Sequence, residues 1–448
     1  MKTYFFMCIG LIALAFNANA ELDPFSVYRA KAPQGCLDKQ VGQAPLTLTD
    51  LISIGICNNP KLNKGYMAVK VAEADLGQQK SEYLPSVAGR ATLESDYLKQ
   101  QKEKSLDNDP YSGNVALEWL LYDFGGRTAR NAQTKAYLQA AQFSYNSALQ
   151  DIVFNISQAY YNLLGNEEVL RSAKATQESL KKSYDEALRR FELGLVSASD
   201  KLLANTSYEQ SKLAVIQAQN AVKTSKGDLA SLLNLPPETT FNLMKPKRSA
   251  EELDLDTKKS VTELIDLALS LRPEIKGSKS SLEASRQNVN IAKASALPSI
   301  SVSSGVAYKD DWKTSNPYQY STNVGLSLSV PLFTGFSDTY KISRAKYQME
   351  QAALDVADTE DTVRNEVWTA FQDYQTAISS YEISKTVLES AIENRRVAFA
   401  MYQVGRGSII NLLTAESQLA TARQENIVSF YGVLTAKAKL YRAIGRFN

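Results

Sequence analysis

The side chains that could carry chemistry are few, and their types exclude more than they offer. The chain has 448 residues with no histidine, three cysteines and six methionines. Without histidine, the commonest general base and the commonest metal ligand are both missing. The methionines are scattered, so a soft-metal relay has no ligand set, and no nucleophile stands in a recognisable catalytic motif. An enzyme is the least supported class, and neither a metal nor another cofactor is expected. Lys and Arg number 50 against 48 Asp and Glu, a balance that gives no reason to expect a nucleic acid partner.

Cysteine chemistry depends on compartment, and the N-terminus speaks to that. Lys2, the apolar run Phe5 to Phe16 and Ala18-Asn19-Ala20 make residues 1–20 a cleaved secretory signal. The run is too short to span about 30 Å of hydrocarbon, which weighs against a retained membrane helix. Cys36 and Cys57 stay in the exported chain. An even count in that compartment favours a disulfide, worth about 3 kcal/mol in the chain-entropy model. Two free thiols are the alternative.

The elements that position everything else occur twice. Leu48-Thr49-Asp50-Leu51-Ile52 with Asn59-Pro60 is matched by Val261-Thr262-Glu263-Leu264-Ile265 with Arg272-Pro273. Leu84-Pro85-Ser86 is matched by Leu297-Pro298-Ser299, Leu121-Tyr122-Asp123-Phe124-Gly125 by Leu332-Phe333-Thr334-Gly335, and Arg190-Phe191-Glu192-Leu193-Gly194 by Met401-Tyr402-Gln403-Val404-Gly405. Four landmarks recurring in order define a duplication. After an N-terminal extension (21–46), the first repeat covers 47–235 and the second 261–448. A proline-bearing linker, 236–260, joins them.

Each repeat predicts the same succession. An initial helix begins near Pro60 or Pro273 and ends before Pro85 or Pro298, because proline is tolerated only at helix borders. Two strands follow, 86–98 and 113–123 in the first repeat, 299–310 and 319–332 in the second. They alternate apolar and polar residues: Val115, Leu117 and Trp119 against Asn114, Ala116 and Glu118; Val324, Leu326 and Leu328 against Asn323, Gly325 and Ser327. Tyr97, Tyr111, Trp119, Tyr308, Trp312, Tyr318 and Tyr320 cluster near segment ends, as in an interfacial girdle. Helices at 126–193 and 337–404 come next, nearly free of Gly and Pro and each about 100 Å long at 1.5 Å per residue. Gly194 and Gly405 stop them, and Ser197 and Ser408 cap return helices 197–233 and 408–444.

Alternation alone also fits a soluble sandwich. The secretory signal, the aromatic ends and helices too long for a globular core favour membrane strands. Four strands cannot close in lipid without leaving edge groups unsatisfied, so copies must pool them. Three give twelve strands, though two or four would also close.

These segments in this order resemble the TolC family of outer-membrane factors over about Thr47 to Gly445, most specifically in the paired Leu-Pro-Ser segments, the strand-to-helix turns and the tip segments Phe191–Asp200 and Tyr402–Arg406. The resemblance implies a mostly α chain with membrane β-barrel strands. A homotrimer would form a twelve-stranded β-barrel, four strands per protomer, and a long periplasmic α-helical barrel, with 236–260 at its equator. It implies a passive exit duct in the outer membrane, in contact with outer-membrane lipid. Its partners would be a periplasmic adaptor and an inner-membrane ABC exporter or proton-driven pump. Cargo could be small molecules, as in efflux, or polypeptides, as in type I secretion. Adaptor docking carries over to Leu193, Gly194, Leu195, Val404, Gly405 and Arg406, which are also simple helix-ending turns. A periplasmic gate carries over to Asp200 and Tyr402, with Asn411 and Thr414 where some members place acidic rings; Asp200 could equally be a first-turn acid on a helix dipole. Outside this family, a coiled-coil structural or adhesion protein remains the alternative.

Overall fold

The computed structural model describes residues 45–98, 106–246, 253, 260–312 and 318–446. The signal at 1–20, the extension up to residue 44 with Cys36, and most of the linker's second half lie outside them. Cys57 is disulfide-bonded.

In the first repeat, α1 (Leu48–Asn58) and α2 (Pro60–Ser81) precede β1 (Ser86–Leu93), β2 (Asp96–Leu98), β3 (Leu106–Asn108) and β4 (Pro110–Tyr122). Next come α3 (Gly126–Glu192) and α4 (Ala198–Leu232). The second repeat has α5 (Val261–Leu271), α6 (Pro273–Ala294), β5 (Ser299–Asp311), β6 (Gln319–Ser329), α7 (Ser337–Gln403) and α8 (Ile409–Ile444). The duplication extends to the caps. Thr47 with Asp50 and Ser260 with Glu263 both form complete capping boxes, each satisfying two orphan amide donors.

Three strand boundaries differ from expectation. The segment expected as one strand over 86–98 breaks after Leu93 and resumes at Asp96, where Ser95 Oγ turns to donate to Asp109 Oδ1 at 2.6 Å. The strand expected from 113 begins at Pro110, a first-residue position where a missing N–H costs no ladder bond. The strand expected to reach 332 stops at Ser329, ahead of Pro331, which cannot donate to a ladder.

The chain divides into two compact units. One contains residues 67–142 and 277–356 and is built on a four-stranded antiparallel sheet in the order β1-β4-β5-β6. Its register collects the apolar side chains on one face. Val87 lies opposite Leu117, Val115 opposite Val306, Trp119 opposite Val302, Val302 opposite Leu326, and Ile300 opposite Leu328. The other face pairs Arg90 with Asn114, Glu118 with Ser303, Ser301 with Ser327 and Gly305 with Asn323. A one-residue slip in any strand would mix the two faces. The edges belong to β1 and β6.

The other unit contains the described residues of 45–66, 143–276 and 357–446. Its main core gathers Leu51, Ile156, Leu164, Leu229, Leu264, Ile275, Tyr374 and Phe430 from seven helices. Leu46 bonds through its backbone to Asn242 and Met244 of the linker. Arg272 and Arg442 hold the carboxylates of α3, α6 and α7 together: Arg442 reaches Asp151 at 2.7 Å and Glu366 at 3.1 Å, and Arg272 reaches Glu274 at 2.9 Å and Glu366 at 2.8 Å. Burial works to raise the Glu274 carboxyl, but the Ser147 hydroxyl, Arg272 and Arg442 outweigh it and hold it below the usual range.

Candidate functional site

Two surfaces stand out: the helix-hairpin tips and the apolar sheet face. At the tips, Gly194 and Gly405 take φ of +74° and +77°, a region that a side chain disfavours. The Gly194 amide donates to Phe191 O and the Leu195 amide to Arg190 O, both at 2.9 Å. Gly405 to Tyr402 O at 3.0 Å and Arg406 to Met401 O at 2.9 Å repeat the arrangement, the Schellman ending that satisfies the last carbonyls. Ser197 and Ser408 then cap α4 and α8 by accepting from the amides of Asp200 and Asn411, each at 3.2 Å. With backbone demands met locally, Leu193, Leu195 and Val404 stay 66–68% exposed at the apices.

The expected gate residues separate into two environments. Asn411 and Thr414 are exposed on the first turns of α8. Tyr402 is 1% exposed, packed with Ala187, Ala204, Ile409 and Leu412. Its hydroxyl has no hydrogen-bond partner, so no bond joins it to Asp200. Burial pushes that hydroxyl above the ordinary tyrosine value; Arg190 opposes the shift, and Asp200 and Glu186 add to it.

Four residues that sequence reasoning passed over hold the two hairpins together here. The Arg190 guanidinium sits 4.9 Å from the Tyr402 ring centre and donates to Gln403 O at 2.9 Å. Arg395 donates to Glu416 Oε1 at 2.8 Å and to Ser179 Oγ at 2.6 Å, while Ser179 donates to Glu416 Oε1 at 2.7 Å. A signal existed for Glu416. It falls between Leu412 and Leu419 in the apolar phase of α8, where a carboxylate must be buried. Arg190, Ser179 and Arg395 gave none, since such residues on a long helix ordinarily face water.

On the sheet, Val87, Leu93, Val324, Leu326 and Leu328 are all more than 60% exposed in the single chain. At the end away from the long helices, Tyr111 stacks near Trp312 (4.8 Å) and Tyr308 (6.1 Å), and Tyr308 near Tyr318 (6.0 Å). Trp119 lies at the opposite end, where its Nε1 donates to Tyr83 O at 3.0 Å. A second aromatic group stands there, Tyr122 with Phe124 and Phe333 with Phe336. Among the described residues no helix is long and apolar enough to cross a membrane, and no acidic or cysteine cluster could hold a metal.

The family model described as outer membrane efflux protein matches residues 51–235 and 264–446, one match for each repeat. Protein CyaE of Bordetella pertussis is 28% identical over 411 residues, spanning 90% of this chain and 85% of its own. Outer membrane protein TolC of Escherichia coli is 23% identical over 409 residues, spanning 87% of this chain and 80% of its own. Among solved structures, the outer-membrane channel CusC superposes with a TM-score of 0.79 at 19% identity, covering 93% of this chain and 98% of that one.

Proposed function

Since the chain belongs to the outer membrane efflux protein family, we propose that it is the exit duct of a tripartite export machine, a homotrimer that conducts cargo passively. Its family and fold are those of outer-membrane channels, and its place is the outer membrane with a helical tunnel in the periplasm. One observation carries the proposal. The sheet has a predominantly apolar face and two free edges, so it is stable in lipid only as part of a closed ring.

The helices flanking those edges support a ring of copies. α2, which leads into β1, exposes Met67 and Val71; α7, which follows β6, exposes Tyr340, Tyr347 and Leu354 at heptad spacing. Two such stripes on opposite sides suit a head-to-tail contact, which closes into a ring when the rotation permits. In this reading repeats 47–235 and 261–448 build the barrel and tunnel, and 236–260 contributes to an equatorial belt. The exposed apices Leu193, Gly194, Leu195, Val404, Gly405 and Arg406 dock a periplasmic adaptor joined to an ABC exporter or proton-driven pump. Asp200, Asn411 and Thr414 form the tip constriction, with the buried Tyr402 packed behind them.

The exposed stripe at the start of α8 (Asn411, Thr414, Gln418, Thr421) is polar and uncharged. A lining of that kind discriminates little by charge and so suits polypeptides of mixed charge as well as small molecules. The test is reconstitution of the detergent-extracted mature protein into planar bilayers. A heat-dissociable oligomer with discrete conductance is expected. A water-soluble monomer without conductance, as a coiled-coil or adhesion protein would give, refutes the proposal.

A further inference from the structure

Cross-strand partners share a face, so the register sorts the polar side of the sheet into rows. One row holds Arg90, Asn114, Ala307 and Ser321; the next, further from the helices, holds Thr92, Ser112, Lys309 and Gln319. Asn114, Ala307, Ser321, Thr92 and Ser112 are short, so the Arg90 guanidinium and the Lys309 ammonium have the longest reach from this part of the wall. Both residues are exposed, and neither has an ion pair among the described residues. Carboxylates of the same face stand to either side. Glu118, opposite Ser86, lies two rows nearer the helices than Arg90. That is about 13 Å at 3.3 Å per residue, beyond the screening length of about 8 Å at physiological salt. Asp311 lies one row past Lys309, opposite Pro110, and its Oδ1 accepts from the Asp109 amide at 3.2 Å. A cationic level therefore separates two acidic ones.

In a closed ring whose apolar face meets lipid, the polar face lines the pore, and each copy adds one guanidinium and one ammonium. Low-dielectric walls focus the field of such a ring onto the axis. The two rows lie about 7 Å apart, the interval at which side chains recur on one side of an extended peptide. An extended acidic segment can thus offer a carboxylate to each row, the guanidinium taking its share in a planar, two-bond pair. A lone small acid meets one row only. We propose that Arg90 and Lys309 form a cationic band in the barrel lumen that engages the carboxylates of extended acidic polypeptide cargo on its way out. The band rests on the channel reading and deepens it: the uncharged start of α8 leaves selection by charge to the barrel.

The test uses the full-length protein in planar bilayers, with an oligoglutamate peptide added on the barrel side and oligomer level in the outer membrane as a parallel readout. The peptide should interrupt the wild-type current, an oligolysine of equal length should not, and added salt should weaken the block. Arg90→Gln and Lys309→Gln should each raise the half-blocking concentration roughly tenfold, as solvent-exposed ion pairs lost from every copy together would give. Both together should exceed either alone, and Lys309→Gln carries the test should Arg90→Gln not assemble. Asn323→Gln, in a row of the same face without a cation, should block as wild type does. A conducting wild-type channel that oligoglutamate leaves unblocked, or assembled variants blocked as readily as wild type, would overturn the band while leaving the channel intact. Equal block by free glutamate at matched carboxylate concentration would overturn the polypeptide assignment. A wild-type protein without conductance would instead remove the channel reading beneath it.

Discussion

A single arginine, moved by one residue along β6, separates a membrane barrel from a soluble sandwich. Leu326 lies midway between Tyr320 and Leu332, opposite Val302, which is itself opposite Trp119. That places it at the centre of the apolar face, 72% exposed in the single chain. Ser327 is its neighbour on the other face, opposite Ser301. If the apolar face meets lipid, Leu326→Arg costs about 2–4 kcal/mol per copy at the bilayer midplane. With three copies in one barrel, as the proposed trimer has it, the assembled state loses roughly 6–12 kcal/mol, a factor of about 10⁴ or more in the assembly equilibrium. Ser327→Arg faces the barrel interior, where the penalty is near zero because water remains at hand.

The assay compares heat-modifiable oligomer in outer-membrane fractions, with total protein measured alongside. Leu326→Arg should leave almost none, and Ser327→Arg should match wild type. Equal oligomer in both variants would refute the lipid-facing assignment. Loss in both would say that the second face is also packed against protein, as in a sandwich.

Asn411→Asp would place a carboxylate from each copy at the exposed start of α8, so the reversal potential in a KCl gradient should move towards cation selectivity; an unmoved potential would take Asn411 out of the constriction. Leu193→Asp with Val404→Asp should abolish co-purification of the adaptor while bilayer conductance persists, and retained binding would argue that both turns are simple helix stops. Glu274 has a folded-state pKa held below its unfolded value, so its contribution is present above the ordinary glutamate value and is lost as pH falls through the lower folded one. The Tm difference between wild type and Glu274→Gln should therefore be largest near neutrality, shrink as the pH drops below the ordinary glutamate value and vanish below the folded one. A difference that persists there would mean that packing, not charge, holds the network.

Local rules made the elements legible. The long helices were expected at 126–193 and 337–404 and run over Gly126–Glu192 and Ser337–Gln403, because Pro and Gly punctuate helices more sharply than any average propensity. The partnership of β4 with β5 was not legible. Alternation states which face a residue occupies and is silent about which strand lies alongside, and here the partners are far apart in sequence. The same limit hid the tip contacts. Ser179 and Arg395 look like ordinary surface residues of a helix until the second hairpin is laid beside the first.

The duplication explains why that could happen. It preserved backbone chemistry: glycines of positive φ, serine caps and prolines at borders recur in both repeats. Side chains diverged where the hairpins touch. Phe191 and Tyr402 are equivalent, and each ring is covered by a cation, Lys201 at 4.5 Å and Arg190 at 4.9 Å. Both cations come from the first repeat, since Met401 stands where the first repeat has Arg190. Had the copies stayed identical, each tip could have covered its own aromatic ring and the hairpins could slide apart at little cost. With one repeat supplying both cations, the second tip keeps its ring covered only while it lies against the first. Motion of one hairpin relative to the other is then an energetic event, as a gate requires.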